Sequence, residues 1–331
     1  MNSISIKYFK GWRVIVMLVY SAKRILQLLC TMLGVVTLVF FSIRLIPGDP
    51  AAAMAGDNLS GEALESLRAK LGLNVPLWEQ YTNYLGHVAM FDFGKTLTTS
   101  LPISGLLMKA LPITMMIALL TVVLTVIISI PLGTIAAFLA NKGKKTLDNV
   151  ITWAAMVIDL MPSFWTALLL MLFLSLNLHL LPASGAVHFN DFGLLLKRIA
   201  LPVLVLAVSQ VATLARITRT AVLEVLNEDY VRTARALGFS ELTVVFRHAL
   251  KNAMLPIITV VGLSFGNLLN GTVIVEFIFA LPGVGTLLVN GINSRDYPLV
   301  QNVILFYAFV FVAINFITDL VYKKADPRVQ L

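Results

Sequence analysis

The longest uncharged run in this chain, Ala110 to Asn141, holds no Asp, Glu, Lys or Arg. About 20 apolar residues in a helix cross the hydrocarbon layer of a bilayer, so a run of this length constrains the fold more than any local propensity does. Similar runs recur. They place six spans, at Ile25 to Ile43, Ile113 to Leu139, Val150 to Leu178, Ile199 to Ala215, Ala253 to Phe279 and Leu299 to Tyr322. The chain is 58% hydrophobic and only 13% charged, about half the charged share of an ordinary soluble domain. These observations predict an all-α, polytopic membrane protein with the lipid bilayer as its solvent.

The charge balance then reads as topology. A net charge of +8 in a soluble chain points to nucleic acid; here the basic residues collect between spans, and no nucleic-acid partner is expected. One set of segments holds 17 of the 25 Lys and Arg residues, including Lys142, Lys144, Lys145, Arg216, Arg219, Arg232, Arg235, Arg247 and Lys251; the other set holds 8. Basic loops stay cytoplasmic, so both termini are expected there. The single cysteine, Cys30, lies in an apolar run, forms no disulfide within the chain and is expected as a small buried hydrophobe.

Between the first two spans the chain is too long for a turn. "SGEALESLRAKLGL" offers Ser60 as a helix cap, Leu64, Leu67 and Leu71 as an apolar stripe and Gly72 as a stop, and "VPLWEQYTNYLGHVAM" offers a second helix with aromatics. This predicts a small helical domain on the outer face. The resulting divisions are an N-terminal extension at 1–22, a first transmembrane helix at 23–46, an outer domain at 47–111, a transmembrane core at 112–323 and a cytoplasmic tail at 324–331. The extension is short of a full crossing. With Trp12 and Tyr20 it reads as an interfacial anchor, or translation starts at Met17.

One basic stretch interrupts the core. "YVRTARALGFSELTVVFRHALKN", Tyr230 to Asn252, lies within a cytoplasmic loop at 216–252. Asp229 can cap a first helix. Tyr230, Thr233, Ala234 and Leu237 fall on one of its faces, with Arg232, Arg235 and Ala236 beside or opposite it. Gly238 can end it in a left-handed conformation. After Phe239, Ser240 can cap a second helix, in which Leu242, Val245, Phe246, Ala249 and Leu250 recur at helical spacing. A short rigid helix held below the membrane by two spans can fit a groove in a partner; an elbow whose arginines meet lipid headgroups has the same pattern.

Here the residues resemble a family. "YVRTARALGFSELTVVFRHALKNAMLP" is similar to the cytoplasmic E-A-A-type loop of permease subunits of ABC importers, and most to the dipeptide, oligopeptide and nickel permease group. Gly238, Ala234 and Leu250 match that loop's glycine, second alanine and leucine. Arg232 and Thr233 replace its Glu and first Ala, and His248 and Lys251 its Ile and Pro. "RLIPGDP", "LGLNVPLWEQYTNYL", "DFGKTL", "IPLGTIAAF", "GTVIVEFIFALPGVG", "RDYPLVQ" and "DLVYKKADPRV" also resemble that group, in order, over about Lys23 to Val329. The resemblance implies a type I importer architecture working by alternating access. It implies a second similar permease, two cytoplasmic ATP-binding subunits that use ATP and Mg, and an extracytoplasmic substrate-binding protein, all in a bacterial inner membrane. No cofactor is expected on this chain. Asp229 to Ser240 would be the helix that couples to an ATPase, supported by His248 and Asn252. Peptides, nickel or metal–chelator complexes and glutathione-like molecules are the cargo classes implied.

Competing classes find less in the residues. The G-K-T of "DFGKT" lacks the glycine a P-loop needs, because Ala89 stands in its place. His87, His179, His188 and His248 show no zinc spacing, and no nucleophile motif marks an enzyme. A stand-alone secondary transporter is the alternative, but no internal repeat supports it. Charges inside spans usually face a pore or a partner. Asp159, next to the kink expected at Pro162, is a candidate for the translocation path favouring amine-bearing cargo. Glu276 is a second candidate there, or it ties its span to backbone N–H groups of "LPGVG". Asp319 is expected to be structural, meeting Lys323.

Overall fold

The computed structural model describes residues 26–42, 51–52, 61–70, 72–185 and 189–325. The extension at 1–22, Ser60 and most of the tail at 324–331 lie outside them. The described residues are almost all helical: α1 Leu26–Ser42, α2 Gly61–Lys70, α3 Leu77–Ala89, α4 Ile103–Asn141, α5 Lys145–Asp159, α6 Ser163–Leu170 with a π-helical continuation Met171–Asn177, α7 Phe192–Leu226 and α8 Asp229–Ala236. Next comes α9, built from Glu241–Thr243, a π-helical stretch Val244–Ala249 and Leu250–Ile278; α10 Val284–Asn293 and α11 Tyr297–Ala325 complete the order.

Among the described residues, four helices are long and apolar enough to cross a membrane: Ile103–Asn141, Phe192–Leu226, Glu241–Gly266 and Tyr297–Thr318. The stretch predicted as one third span is two helices bent by 103°, which makes five if that pair counts as one. The expectation was a kink at Pro162; the helix instead stops at Asp159 and restarts at Ser163. Pro162 pushes the residue before it out of helical conformation, and it heads the next helix with φ −59 and ψ 138. The first predicted span is present as the shorter apolar helix α1. The second starts at Ile103 rather than Ile113, because Pro112 is carried inside the helix instead of opening it.

The chain forms two compact units, Met1–Leu106 with Gly291–Phe316, and Leu107–Asn290 with Ile317–Leu331. In the first, the buried Phe40 of α1 packs against Tyr81 and Tyr84 of α3, at ring separations of 5.2 and 5.6 Å. Tyr81 also shares a 2.7 Å hydrogen bond with Thr37. Cys30 is exposed, contrary to its reading as a buried hydrophobe, because α1 turns only one side to the rest of its unit. Gly72 ends α2 with φ +63. "DFGKTL" passes an isolated bridge from Lys95 to Pro102 and leads into a turn at 97–99, where buried Asp296 accepts from the Leu97 and Thr98 amides and the Thr98 hydroxyl, at 2.8, 3.3 and 3.2 Å, and from the Leu299 amide at the head of α11.

The second unit has two apolar cores. One joins Ile113 and Ile117 of α4 to Leu195 and Ile199 of α7, Val275 of α9 and Phe279 just after it. The other, around the basic module, joins Leu214, Val222 and Leu226 of α7 to Val231, Val244, Val245, Ala253 and Ile257. Small residues let the helices approach closely, as in membrane bundles generally. At Gly133 of α4 a Cβ would run into the Ala215 carbonyl and the Thr218 side chain of α7.

Candidate functional site

The basic module begins where α7 ends. Asn227 and Glu228 turn the chain, and Glu228, not Asp229, is the residue ahead of α8, with no side-chain cap. Asp229 is the first helical residue and lies 3.3 Å from Arg232 in a solvated pair, of a kind worth little. Val231 and Ala234 are the buried positions of α8. The predicted face through Tyr230, Thr233 and Leu237 is displaced: Leu237 is 73% exposed. An eight-residue helix needs only an i, i+3 pair to sit on its core, and Val231 supplies the first of that pair.

The end of α8 is built by Gly238. Its φ is +83; its N–H donates to the Arg235 carbonyl at 3.0 Å and the Phe239 N–H to the Ala234 carbonyl at 3.3 Å, the Schellman pattern that a left-handed glycine permits. Arg235 then forks onto Glu241 across the turn, at 2.8 and 3.4 Å, and the Ser240 hydroxyl accepts from the Thr243 amide. Asn252 donates to the Tyr230 hydroxyl at 2.7 Å, and the His248 ring lies 5.2 Å from that of Phe239. Both helices and the turn are therefore cross-braced.

The second helix of the module is not separate. It runs on into the membrane as α9, and its buried face is Val244, Val245, Ala249, Ala253 and Ile257. Leu242 and Phe246, predicted inward, are exposed. The buried face is centred on Val244 and Val245 instead, at the start of the π-helical stretch. Tyr230, Leu237, Phe239, Leu242 and Phe246 are thus left as exposed apolar side chains around a rigid turn.

Higher in the unit, Asp159 ends α5 with both carboxylate oxygens engaged. Thr213 donates at 2.7 Å and Arg216 at 2.6 Å. Its charge is matched within the chain by Arg216, in a pair about a third exposed. At the other end of α5, Arg219 forks onto buried Asp148. Asp148, Arg219 and Arg216 escaped the sequence reading as a set. The available signal was a carboxylate at either end of one apolar stretch and two arginines one turn apart on another.

Glu276 is fully buried near the end of α9, and its Oε2 accepts from the Gly285 amide at 2.7 Å. The Val284 amide beside it donates to Thr114 of α4 at 2.9 Å. A Cβ at Gly283 would overlap the Glu276 carboxylate. The backbone of Asp319 is helical, but its side chain and that of Lys323 lie outside the described residues. On the segment between α3 and α4, the Gly94 N–H and then the His87 ring hold the exposed Asp92 carboxyl below the usual carboxylate range.

The chain matches the family model described as the inner membrane component of binding-protein-dependent transport systems over residues 129–331, and that for the N-terminal part of such components over residues 17–118. It belongs to this family. The permease is 42% identical over 309 residues to a putative peptide transport system permease of Brucella abortus, covering 93% of this chain and 98% of the relative. It is 37% identical over 318 residues to the oligopeptide transport permease AppB of Bacillus subtilis, covering 95% and 100%. It is 37% identical over 314 residues to the glutathione transport permease GsiC of Salmonella typhimurium, covering 95% and 99%. Among solved structures, an inward-facing MetNI methionine ABC transporter is similar in fold at a TM-score of 0.58 and 14% identity, over 67% of this chain and 97% of that one. The permease is therefore a multi-pass, all-α membrane component of an ABC importer, and a stand-alone secondary transporter is not favoured.

Proposed function

We propose that this permease forms half of an importer's translocation path for peptides or closely related small molecules, and that Asp229 to Ser240 is where ATP-driven motion enters it. The second half would be a similar permease. Two ATP-binding subunits using ATP and Mg would sit below, and an extracytoplasmic binding protein would dock above, on the segment from Pro47 to Leu111. Both termini would then be cytoplasmic, in a bacterial inner membrane.

The observation that carries the coupling assignment is the braced turn at Gly238. It offers exposed apolar side chains on a stiff base; one arm, α8, joins α7 through the turn at Asn227 and Glu228, and the other runs on without a break as α9. A groove on a partner can push on such a feature without melting it. The cargo class is supported by the peptide, oligopeptide and glutathione permeases to which the chain is similar.

The test is uptake in proteoliposomes holding both permeases, with and without the ATP-binding subunits and the binding protein. Short peptides should accumulate only with the complete set and ATP. Accumulation without the ATP-binding subunits overturns the reading.

A further inference from the structure

We propose that Asp148, Asp159, Arg216 and Arg219 are positioning residues of the coupling machinery, tying α5 to α7 so that α5 travels with the coupling helix. The inference rests on the function proposed above.

Apart from its packing on α7, little else holds α5. It lies between two breaks, the left-handed Gly143 with φ +75 just before it and the 103° bend at Leu160 to Pro162 after it. Its main packing partner is α7. Val150, Trp153, Val157 and Leu160 form an exposed apolar stripe, so most of its hydrophobic surface does nothing to attach it to its own chain. The ion pairs supply the attachment. Arg219 engages both oxygens of Asp148 at the first turn of α5; Arg216 and Thr213 engage Asp159 at its last residue.

The placement matters as much as the strength. One ion pair fixes a distance and leaves rotation free. Two pairs at opposite ends of a helix, about 16 Å apart by its rise per residue, fix direction as well. A forked Arg–carboxylate contact adds a preferred plane that a lysine could not supply. Asp148 is buried, so its partner cannot be exchanged for water without leaving an unpaired charge inside.

The other ends of these contacts lead to the coupling helix. Below Arg219, α7 runs on to Leu226, turns at Asn227 and Glu228 and becomes α8. Val222 and Leu226 of α7 share a core with Val231 and Ala234 of α8. Displacement of α8 thus reaches the arginines through packed helix, and the arginines pass it to α5. Beyond its bend, α5 leads to α6, which packs on both α7 and α9.

The experiment uses the complete transporter in proteoliposomes. Spin labels at Asn149→Cys on α5 and Thr220→Cys on α7, in a Cys30→Ser background, report the separation of the two helices. In the otherwise unaltered chain it stays constant between nucleotide-free and ATP-trapped states. In Arg219→Gln it broadens, and cargo moved per ATP falls roughly 5–150-fold, the usual range of coupling between sites, while the ATP-binding subunits still co-purify. Arg219→Lys, which keeps charge and loses the fork, falls between. If Arg219→Gln does not assemble, Arg216→Gln and Asp159→Asn carry the same two readouts at the more exposed pair. A separation that shifts on ATP binding in the unaltered chain overturns the proposal, as does an unchanged cargo-to-ATP ratio in the assembled variants. An unaltered transporter with no ATP-dependent uptake refutes the permease function instead, which is a different result.

Discussion

Gly238 gives the sharpest test of how the turn proposed to meet the ATP-binding subunits is built. Its φ of +83 lies where side chains with a Cβ are strained, yet a Cβ built there meets nothing within 4 Å. The cost of substitution is therefore backbone conformation alone, with no collision. Gly238→Ala should cost about 1–2 kcal/mol, the left-handed penalty for one residue. That is a factor of roughly 5–30 in the population of the correctly turned state. Gly238→Asn should cost less, because asparagine tolerates this region. Gly238→Pro should cost far more: its ring holds φ near −65°, its nitrogen cannot donate to Arg235, and it pushes Leu237 out of its helical conformation. The assay is dissociation of purified ATP-binding subunits from the solubilised permease pair, with membrane content measured in parallel. The expected order of loss is Asn, then Ala, then Pro, with membrane content unchanged. Equal loss in Ala and Pro would show that the space beside residue 238, not its backbone, is what the partner reads, and would refute the reasoning.

Ala234→Glu places a charge against Val231 in the core beneath the coupling helix; co-purification of the ATP-binding subunits should be lost while the permease stays in the membrane, and normal co-purification argues against the buried face. Asp296→Ala strips the acceptor from three backbone amides and a hydroxyl; at about 1–3 kcal/mol for an unsatisfied buried group, limited proteolysis should cut near Leu97 faster than in the parent chain. Gly283→Ala drives a methyl into the Glu276 carboxylate and should lower the thermal midpoint by overpacking, whereas Gly61→Ala, with open space around its Cβ, should not. Asp92 titrates low, so its contribution to the turn is present above the ordinary aspartate value of about 3.9 and is lost as pH falls through the depressed one; His87→Ala should move the Asp92 midpoint upward in an NMR titration.

Much of this architecture was legible because membranes simplify the code. Uncharged runs announced the spans, and Gly72 and Gly238 stand at helix ends with positive φ because few other residues can. The errors have specific causes. The predicted stripe omitted Val244, which is buried with Val245 and Ala249, and Leu242 and Phe246 are exposed instead. Pro112 and Pro162 look alike in sequence, yet one is absorbed inside a helix and the other breaks one, a difference set by tertiary packing. Asp159 read as a free intramembrane charge because its partner, Arg216, is 57 residues away. Asp296 was invisible as a site because its partners are backbone amides, which no motif displays.

The helix that leaves the coupling turn does not pause at the membrane. Its stretches of 3, 6 and 29 residues follow one another without an intervening loop, a span of about 57 Å at 1.5 Å per residue. A rod of that length works as a seesaw. Tilted about a point near its middle, it carries its lower end one way and its upper end the other by nearly the same distance. One continuous helix, with Pro256 and the π-helical stretch inside it, could then close a path at one surface and open it at the other in a single stroke.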